Sequence, residues 1–247
     1  MKELYQKLFQ SCEKLQGFHH AAHFVAMKGK YYDTNTKRLL LVGRATNGWD
    51  SLEAEDAEGF GEQAERLFYD PGRWDWIDVV DGVLYSVHND GNHKKKKDRY
   101  CVSTSPFWYY TKAIWQELPG TSKDCVRWME NIAWSNLFKV SPKVEGNPTT
   151  EYINAQKEVC NEILYREIEV LKPTHILFMT GYDWFMDFAG CFQNIKHLGS
   201  NKIGKNRNDV YMEATAEFQG IKAAVMCRPE YRKKDLYVRS SLCGLMQ

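Results

Sequence analysis

The feature that most constrains the fold is a series of short, mainly apolar runs, each of which ends within two residues of a glycine or a proline. Runs of this length and composition are typical of buried strands that lead into a loop. They occupy residues 38–43, 133–140, 175–180 and 221–227, and residues 209–216 form a further strand candidate. Because strands alternate with helical patterns, the sequence predicts an α/β fold: a three-layer sandwich around a central, mainly parallel sheet of four to five strands.

Two helices are predicted from the 3/4 spacing of apolar residues, one over residues 1–18 and one over residues 151–171. Thr149 or Thr150 can cap the start of the second helix, because a threonine oxygen accepts a hydrogen bond from a main-chain N–H of the first turn.

The chain is predicted to form a single domain, residues 1–247, since this length suits one α/β unit with a core of its own. Residues 70–100 contain several Asp-Gly and Asn-Asp-Gly turn patterns followed by four lysines, and they predict a long surface excursion.

The composition excludes several classes of protein. The chain carries 33 Lys and Arg against 32 Asp and Glu, so its net charge of +1 gives no strong overall attraction to nucleic acid. No apolar stretch is long enough for a membrane helix, and no secretory signal is present, so the protein is expected in the cytoplasm without a membrane partner. The seven cysteines include no Cys-x-x-Cys pair and predict reduced thiols, with no metal and no cofactor.

Loops that follow the predicted strands contain the candidate site. In open α/β sheets the ligand lies beyond the carboxyl ends of the strands. Asn136 occurs within an apolar strand, and its amide offers a donor and an acceptor. It either pairs with the backbone or reads a ring that has adjacent carbonyl and N–H groups. The segments expected to converge there are 43–48, 136–142, 181–184 and 228–234.

Five motifs in this order resemble those of the uracil-DNA glycosylase superfamily, over roughly residues 38 to 235. They are the first strand with its Gly-x-x-x-Asn-Gly exit, Gly59-Phe60-Gly61, Trp134-Ser-Asn136-Leu, the segment from Lys172-Pro to Gly181, and Arg228-Pro229. The resemblance implies a uracil-DNA glycosylase-like fold and a function in DNA repair. The chain would be a DNA-binding, metal-independent hydrolase that excises a damaged or deaminated base from DNA.

The resemblance also implies roles for individual residues. Phe60 corresponds to the aromatic residue that stacks on the base, and Asn136 to the amide that reads it. Arg228 stands where the family has a histidine that stabilises the departing base, and its permanent charge can also stabilise an anion.

The first loop leaves two alternatives for the residue that positions the attacking water. Counting directly from Gly43 selects Arg44 or Ala45, whereas a small insertion selects Asn47. Gly43 and Arg44 are also expected to contact the base. We therefore take Asn47 and Arg228 as the candidate catalytic residues.

A basic run near Arg228 predicts contacts with phosphate groups, through Arg232, Lys233 and Lys234. The partner would be DNA or a small molecule that contains a nucleobase, and the protein is expected to be a monomer. Seven acidic residues between Asp50 and Glu65 would repel DNA and favour the small molecule.

Two alternative functions remain. The chain could be a glycosylase-fold protein that binds a nucleobase, a nucleotide or a nucleic acid without catalysis. It could also be an unrelated α/β hydrolase or nucleotide-binding domain, which is supported only by the general strand–helix pattern.

Overall fold

The structure is a computed structural model of the 247-residue chain. It describes residues 1–46, 52–70, 77–80, 83–86, 100–101, 105–121, 128–143, 146–199, 210–230 and 233–246. Two of the candidate site residues, Asn47 and Arg232, lie outside the described residues, and so does most of the predicted excursion at 70–100.

The described helices follow the expected alternation with strands. They are α1 (Lys2–Cys12), α2 (Ala57–Tyr69), α3 (Pro106–Glu117), α4 (Thr150–Leu171), α5 (Tyr182–Met186) and α6 (Lys234–Met246). The predicted cap of α4 is confirmed at Thr149, whose side-chain oxygen accepts a hydrogen bond from the Tyr152 main-chain nitrogen at 3.4 Å.

The described strands form three sheets. The strands are β1 (Ala21–His23), β2 (Met27–Lys28), β3 (Leu39–Gly43), β4 (Ile77–Val80), β5 (Val83–Ser86), β6 (Tyr100–Cys101), β7 (Ala133–Asn136), β8 (Val140–Pro142), β9 (His175–Phe178), β10 (Gln193–His197), β11 (Met212–Phe218) and β12 (Ile221–Met226). A seven-stranded sheet has the order β10-β11-β12-β9-β3-β7-β2, β1 pairs with β8, and β4, β5 and β6 form a third sheet.

The α/β prediction is confirmed, but the sheet is larger than expected and mixed. Strands β12, β9, β3 and β7 pair in parallel with one another. The outer pairings β10–β11, β11–β12 and β2–β7 are antiparallel. The sequence predicted four to five strands because the two-residue β2 and the exposed β10 have no continuous apolar run.

Parallel pairing brings the four predicted strand exits to one edge of the sheet. Gly43 pairs with Asn136, and Val42 pairs with Phe178, which in turn pairs with Val225. The loops after β3, β7, β9 and β12 therefore begin side by side, as the exits of these runs predicted.

Alternate residues of β3 pack into two different hydrophobic clusters. Leu40 and Val42 pack into a cluster with buried residues of α1, α2 and α4. Leu39 and Leu41 pack into a second cluster with buried residues of α3 and α6. Since neighbouring side chains of a strand point to opposite faces, helices cover both faces of the sheet around β3.

The first helix is shorter than predicted. Helix α1 ends at Cys12, and Phe18 begins a short 3₁₀ helix after Gly17, whose φ of 82° favours glycine. This turn brings Phe18 back against Phe9, with the ring centroids 5.1 Å apart and the rings perpendicular. A tertiary contact between aromatic rings thus replaces the last turns of the predicted helix.

The predicted strand 133–140 is two strands, β7 and β8, joined by residues 137–139. The main-chain nitrogens of Leu137 and Phe138 donate to the carbonyl oxygens of Gly43 and Arg44, at 2.8 and 3.0 Å. The chain then turns into β8, which pairs antiparallel with β1 instead of extending the large sheet. The sequence predicted one strand here because both strands and the turn between them are buried and mainly apolar.

Within the described part of the chain, no helix combines the length and the apolar character that crossing a membrane requires.

Two buried thiols should resist alkylation in the folded protein. Burial raises the pKa of Cys12 and of Cys160 to about 12 in each case, so almost none of either is thiolate at pH 8. Cys243 is exposed. We expect iodoacetamide at pH 8 to label Cys243 in the native protein, and Cys12 and Cys160 only after urea unfolding, as measured by peptide mass spectrometry. Labelling of Cys12 in native protein at the rate of Cys243 would contradict the packing of α1.

Candidate functional site

The candidate site lies where β3 and β7 end together. The pairing of Gly43 with Asn136 places the two strand ends side by side at the carboxyl edge of the sheet. Both strands are fully buried along their length. Sheet pairing therefore places these two residues side by side.

The Asn136 side chain is buried but lacks a hydrogen-bond partner on its nitrogen. Asn136 is 1% exposed, and its Nδ2 has no partner among the described residues. A buried amide that pairs with nothing is costly, by about 1–3 kcal/mol. A bound water or a ligand can complete the hydrogen bonds of such a group.

Gly43 leaves the space into which the Asn136 amide fits. A Cβ atom at Gly43 would lie 2.3 Å from Oδ1 of Asn136, far inside van der Waals contact. Alanine is therefore excluded here unless the amide moves. Glycine is therefore needed at the end of β3 because it leaves room for the Asn136 amide, and not because of its backbone conformation.

Phe107 provides an aromatic ring beside this amide. Its ring atoms Cε2 and Cζ lie 3.4 Å from the same Cβ position at Gly43, and the residue is only partly buried. Phe107 is the second residue of α3, and its ring contacts Trp108 and Trp134. An aromatic ring, a glycine and an amide with an unpaired nitrogen thus meet at one point of the sheet edge.

Sequence reasoning missed Phe107, although a local pattern marks its position. Pro106 at the first helical position is a frequent helix start, which places Phe107 in the first turn of α3.

Phe60, the predicted stacking residue, does not belong to this site. It is fully buried, and its ring packs against Phe9, Phe18 and His23, with centroids 5.4, 6.3 and 5.2 Å away. A side chain that is 0% exposed offers no face to a base. Gly61 next to it is needed because a Cβ there would lie 2.7 Å from the Lys2 carbonyl oxygen. The motif Gly59-Phe60-Gly61 thus packs α2 on α1.

The Arg44 side chain reaches across the end of β9 and away from β7. Its Nε donates to the Thr180 carbonyl oxygen at 2.5 Å, and its guanidinium lies over the Trp184 ring, 4.8 Å from the centroid. Burial, and secondly the charge of Arg228, lower the pKa of Arg44 to about 10. The guanidinium therefore remains charged at neutral pH. The contact of Arg44 with the segment after β7 is through its carbonyl oxygen, which accepts from the Phe138 main-chain nitrogen.

A buried carboxylate lies near the Arg44 guanidinium. Glu213 is 5% exposed, and its Oε2 accepts a hydrogen bond from the Tyr182 main-chain nitrogen at 2.6 Å. A Cβ at Gly181 would lie 3.1 Å from an Arg44 terminal nitrogen and 3.5 Å from this oxygen. The negative charge of Glu213 offsets part of the positive charge of the Arg44 guanidinium.

Arg228 follows β12 at the same edge and is paired with an acid. Its Nε and one terminal nitrogen donate to Oε1 of Glu230 at 3.0 and 2.6 Å, and both side chains are partly exposed. The lysines beyond it are both exposed, and Nζ of Lys234 lies over the Tyr109 ring, 4.5 Å from its centroid. Lys233 directly precedes α6, and its carbonyl oxygen accepts a hydrogen bond from the Tyr237 main-chain nitrogen at 3.0 Å.

A buried ion pair contacts the main chain of Asn136. Nζ of Lys139 is 2.8 Å from Oε1 of Glu167, which belongs to α4, and both side chains are fully buried. Nζ also donates to the Asn136 carbonyl oxygen and to Oγ of Ser135, each at 2.7 Å. Ser135 in turn donates to Oε2 of Glu167 at 2.6 Å.

No group of three or more His, Cys, Asp and Glu side chains gathers in a metal-binding arrangement within the residues that the structure describes.

A scan against protein-family models and a search of the curated proteins each find no match to this chain.

The contact between Gly43 and Asn136 can be tested by a double-mutant cycle. Gly43→Ala should lower the free energy of unfolding by about 1–3 kcal/mol, the usual cost of overpacking, because the new methyl group meets Oδ1. In an Asn136→Ala background the same change should cost less than about 1 kcal/mol, since the oxygen is gone. Urea unfolding of the four proteins measures both costs. Equal costs would show that Gly43 does not make room for this amide.

Proposed function

We propose that the carboxyl edge of the large sheet binds a nucleobase, and that the protein hydrolyses the N-glycosidic bond of a damaged or deaminated base in DNA. The proposal includes a uracil-DNA glycosylase-like three-layer fold. Helices on both faces of the sheet around β3, and strand exits at one edge, support that fold.

The observation that carries the proposal is the buried amide of Asn136, whose nitrogen has no partner among the described residues. A carboxamide offers one donor and one acceptor side by side. Uracil and hypoxanthine present a carbonyl oxygen next to a ring N–H, so one such edge would satisfy both ends of the amide. A base that lacks this edge would leave the amide unpaired, which penalises the wrong ligand.

Phe107 supports a flat ring as the ligand. Its position against Gly43 gives a base a surface to stack on beside the amide that would read its edge. Stacking on an aromatic side chain is worth about 1–3 kcal/mol per base and does not depend on sequence. Phe107 therefore takes the role that the sequence assigned to Phe60.

Hydrolysis would break the bond between sugar and base, with both electrons leaving on the base. Water would add to the sugar carbon and lose a proton, which would neutralise the departed base. This chemistry needs an oriented water and a positive group near the departing base. The contacts of Arg44 with Thr180 and Trp184 favour Asn47 as the water-positioning residue. Arg228 is the group proposed to stabilise the anion, and Arg232, Lys233 and Lys234 are proposed to contact phosphate groups.

A second candidate function is binding of a nucleobase or nucleotide without catalysis. The pairing of Arg228 with Glu230 favours it, because that carboxylate offsets the charge which the departing base would need. The site at Asn136, Gly43 and Phe107 is common to both candidates.

Phe107 and Phe60 should give opposite results when each is changed to alanine. Phe107→Ala should weaken binding of uracil or hypoxanthine about 5- to 150-fold, the loss of one stacking contact, with a smaller loss of stability than Phe60→Ala because the Phe107 ring is only partly buried. Phe60→Ala should lower the free energy of unfolding by about 3–5 kcal/mol, because it empties a core position. Isothermal titration calorimetry and urea unfolding measure the two effects.

Asn136→Ala is the companion variant, and it should reduce discrimination between bases more than general affinity. Wild-type protein that binds neither base nor a base-containing oligonucleotide would overturn the proposal.

Catalysis is tested by base release from oligonucleotides that contain uracil or hypoxanthine. We expect release by the wild-type protein and a roughly 10²-fold lower kcat for Arg228→Ala, the usual cost of removing one group that stabilises a developing anion. Lys233→Ala serves as a matched loss of positive charge and should change KM more than kcat. If the wild-type protein binds the oligonucleotides but releases no base, the binding function replaces the enzymatic one.

A further inference from the structure

The ion pair of Lys139 and Glu167 is unusual because both partners are fully buried. Removing two charges from water costs more than their attraction usually returns, so such a pair is poor evidence for stability. Its hydrogen bonds are nevertheless complete on the lysine side. Nζ binds the Glu167 carboxylate, Oγ of Ser135 and the carbonyl oxygen of Asn136.

We propose that Lys139 and Glu167 position Asn136 for its ligand. This inference rests on the proposed function, in which the Asn136 amide reads a base. Lys139 is a positioning residue: it holds the main chain of Asn136 and does not touch the ligand.

The contacts show how the positioning works. The Asn136 side chain makes no hydrogen bond through Nδ2 within the described residues, so no partner there holds that nitrogen. Its main chain, in contrast, is held by Nζ at 2.7 Å, and Glu167 holds Nζ from α4. Fixing the strand end in this way reduces the freedom that the amide would lose on binding, and preorganisation of this kind raises affinity.

Joining α4 to this segment does not require the ion pair. Gln156, also on α4, accepts hydrogen bonds from the main-chain nitrogens of Lys139 and Val140 at 3.0 and 2.9 Å. It also donates to the Val140 carbonyl oxygen at 2.8 Å. The added contact that the ion pair makes is with the end of β7, where Asn136 lies.

A nucleophilic role for Ser135 does not fit the same geometry. Its Oγ lies 2.7 Å from Nζ of Lys139, as in a Ser–Lys catalytic pair. However, Nζ of Lys139 donates to Ser135, and the Ser135 hydroxyl donates to Oε2 of Glu167, so the lysine does not accept the proton that a nucleophilic serine must give up.

The test removes both charges together, because Lys139→Met alone leaves a buried carboxylate unpaired and destabilises the fold strongly. The double variant Lys139→Met/Glu167→Met should unfold at a urea concentration close to that of the wild-type protein. It should bind uracil at least about fivefold more weakly. Asn136→Ala should weaken uracil binding about 5- to 150-fold in the wild-type background, but less than about twofold in the double variant.

Two further variants keep the test decisive. Leu164→Ala lowers stability on the same helix without removing a hydrogen bond, so the full effect of Asn136→Ala should persist there. Glu167→Asp keeps both charges and shortens the carboxylate, which should draw Nζ from the Asn136 carbonyl. Its affinity for uracil should lie between those of the wild-type protein and the double variant, and this comparison decides the matter if the double variant does not fold.

The results separate the two proposals. If the double variant, or Glu167→Asp in its place, keeps wild-type affinity and the full effect of Asn136→Ala, the positioning role is wrong while the nucleobase site stands. If the wild-type protein binds no base, both proposals fall.

Discussion

The parallel pairing of β3 with both β7 and β9 is the constraint on which the rest of the structure depends. Adjacent strands lie about 4.8 Å apart, so this pairing brings the Gly43 main chain next to that of Asn136 and brings the end of β9 to the other side. The residues that follow these strands meet without any contribution from loop folding. A shift of one residue in the register of β7 would turn the Asn136 side chain to the other face of the sheet.

The strand exits are well predicted because a buried strand appears in the sequence as a run of mainly apolar residues. Each parallel strand belongs to a mainly apolar run, and β9 is followed by Gly181 and β12 by Arg228-Pro229, so the exits and their common edge could be inferred. The aromatic residue could not be assigned in this way. Gly59-Phe60-Gly61 has the spacing expected of a ligand-binding loop, yet it packs α2 against α1, where Phe60 meets Phe9. Sequence spacing does not distinguish a helix–helix contact from a ligand contact.

The buried ion pair was unpredictable for a different reason. Lys139 lies in an apolar stretch, but charged side chains are mostly exposed, and nothing in its neighbours along the chain reveals a partner. Glu167 is 28 residues further on, within a helix whose pattern of apolar residues explains its packing without that carboxylate. Only the three-dimensional path of the chain through β7, the turn at residues 137–139 and α4 brings the two charges together.

The charges at the sheet edge bear on whether the site can perform hydrolysis. Arg44 is held by Thr180 and Trp184, so its position is fixed, and Glu213 offsets part of its charge. Arg228 is the more adaptable cation, because its partner Glu230 is only two residues away and both side chains are partly exposed. An exposed ion pair is worth about 0–1 kcal/mol, so a phosphate group or a departing anionic base could displace Glu230 at little cost. The pairing of Arg228 is therefore weak evidence against catalysis. Hydrolysis also requires an oriented water, and this is the more demanding requirement. The proposed enzymatic function therefore depends most on Asn47, in the loop after β3.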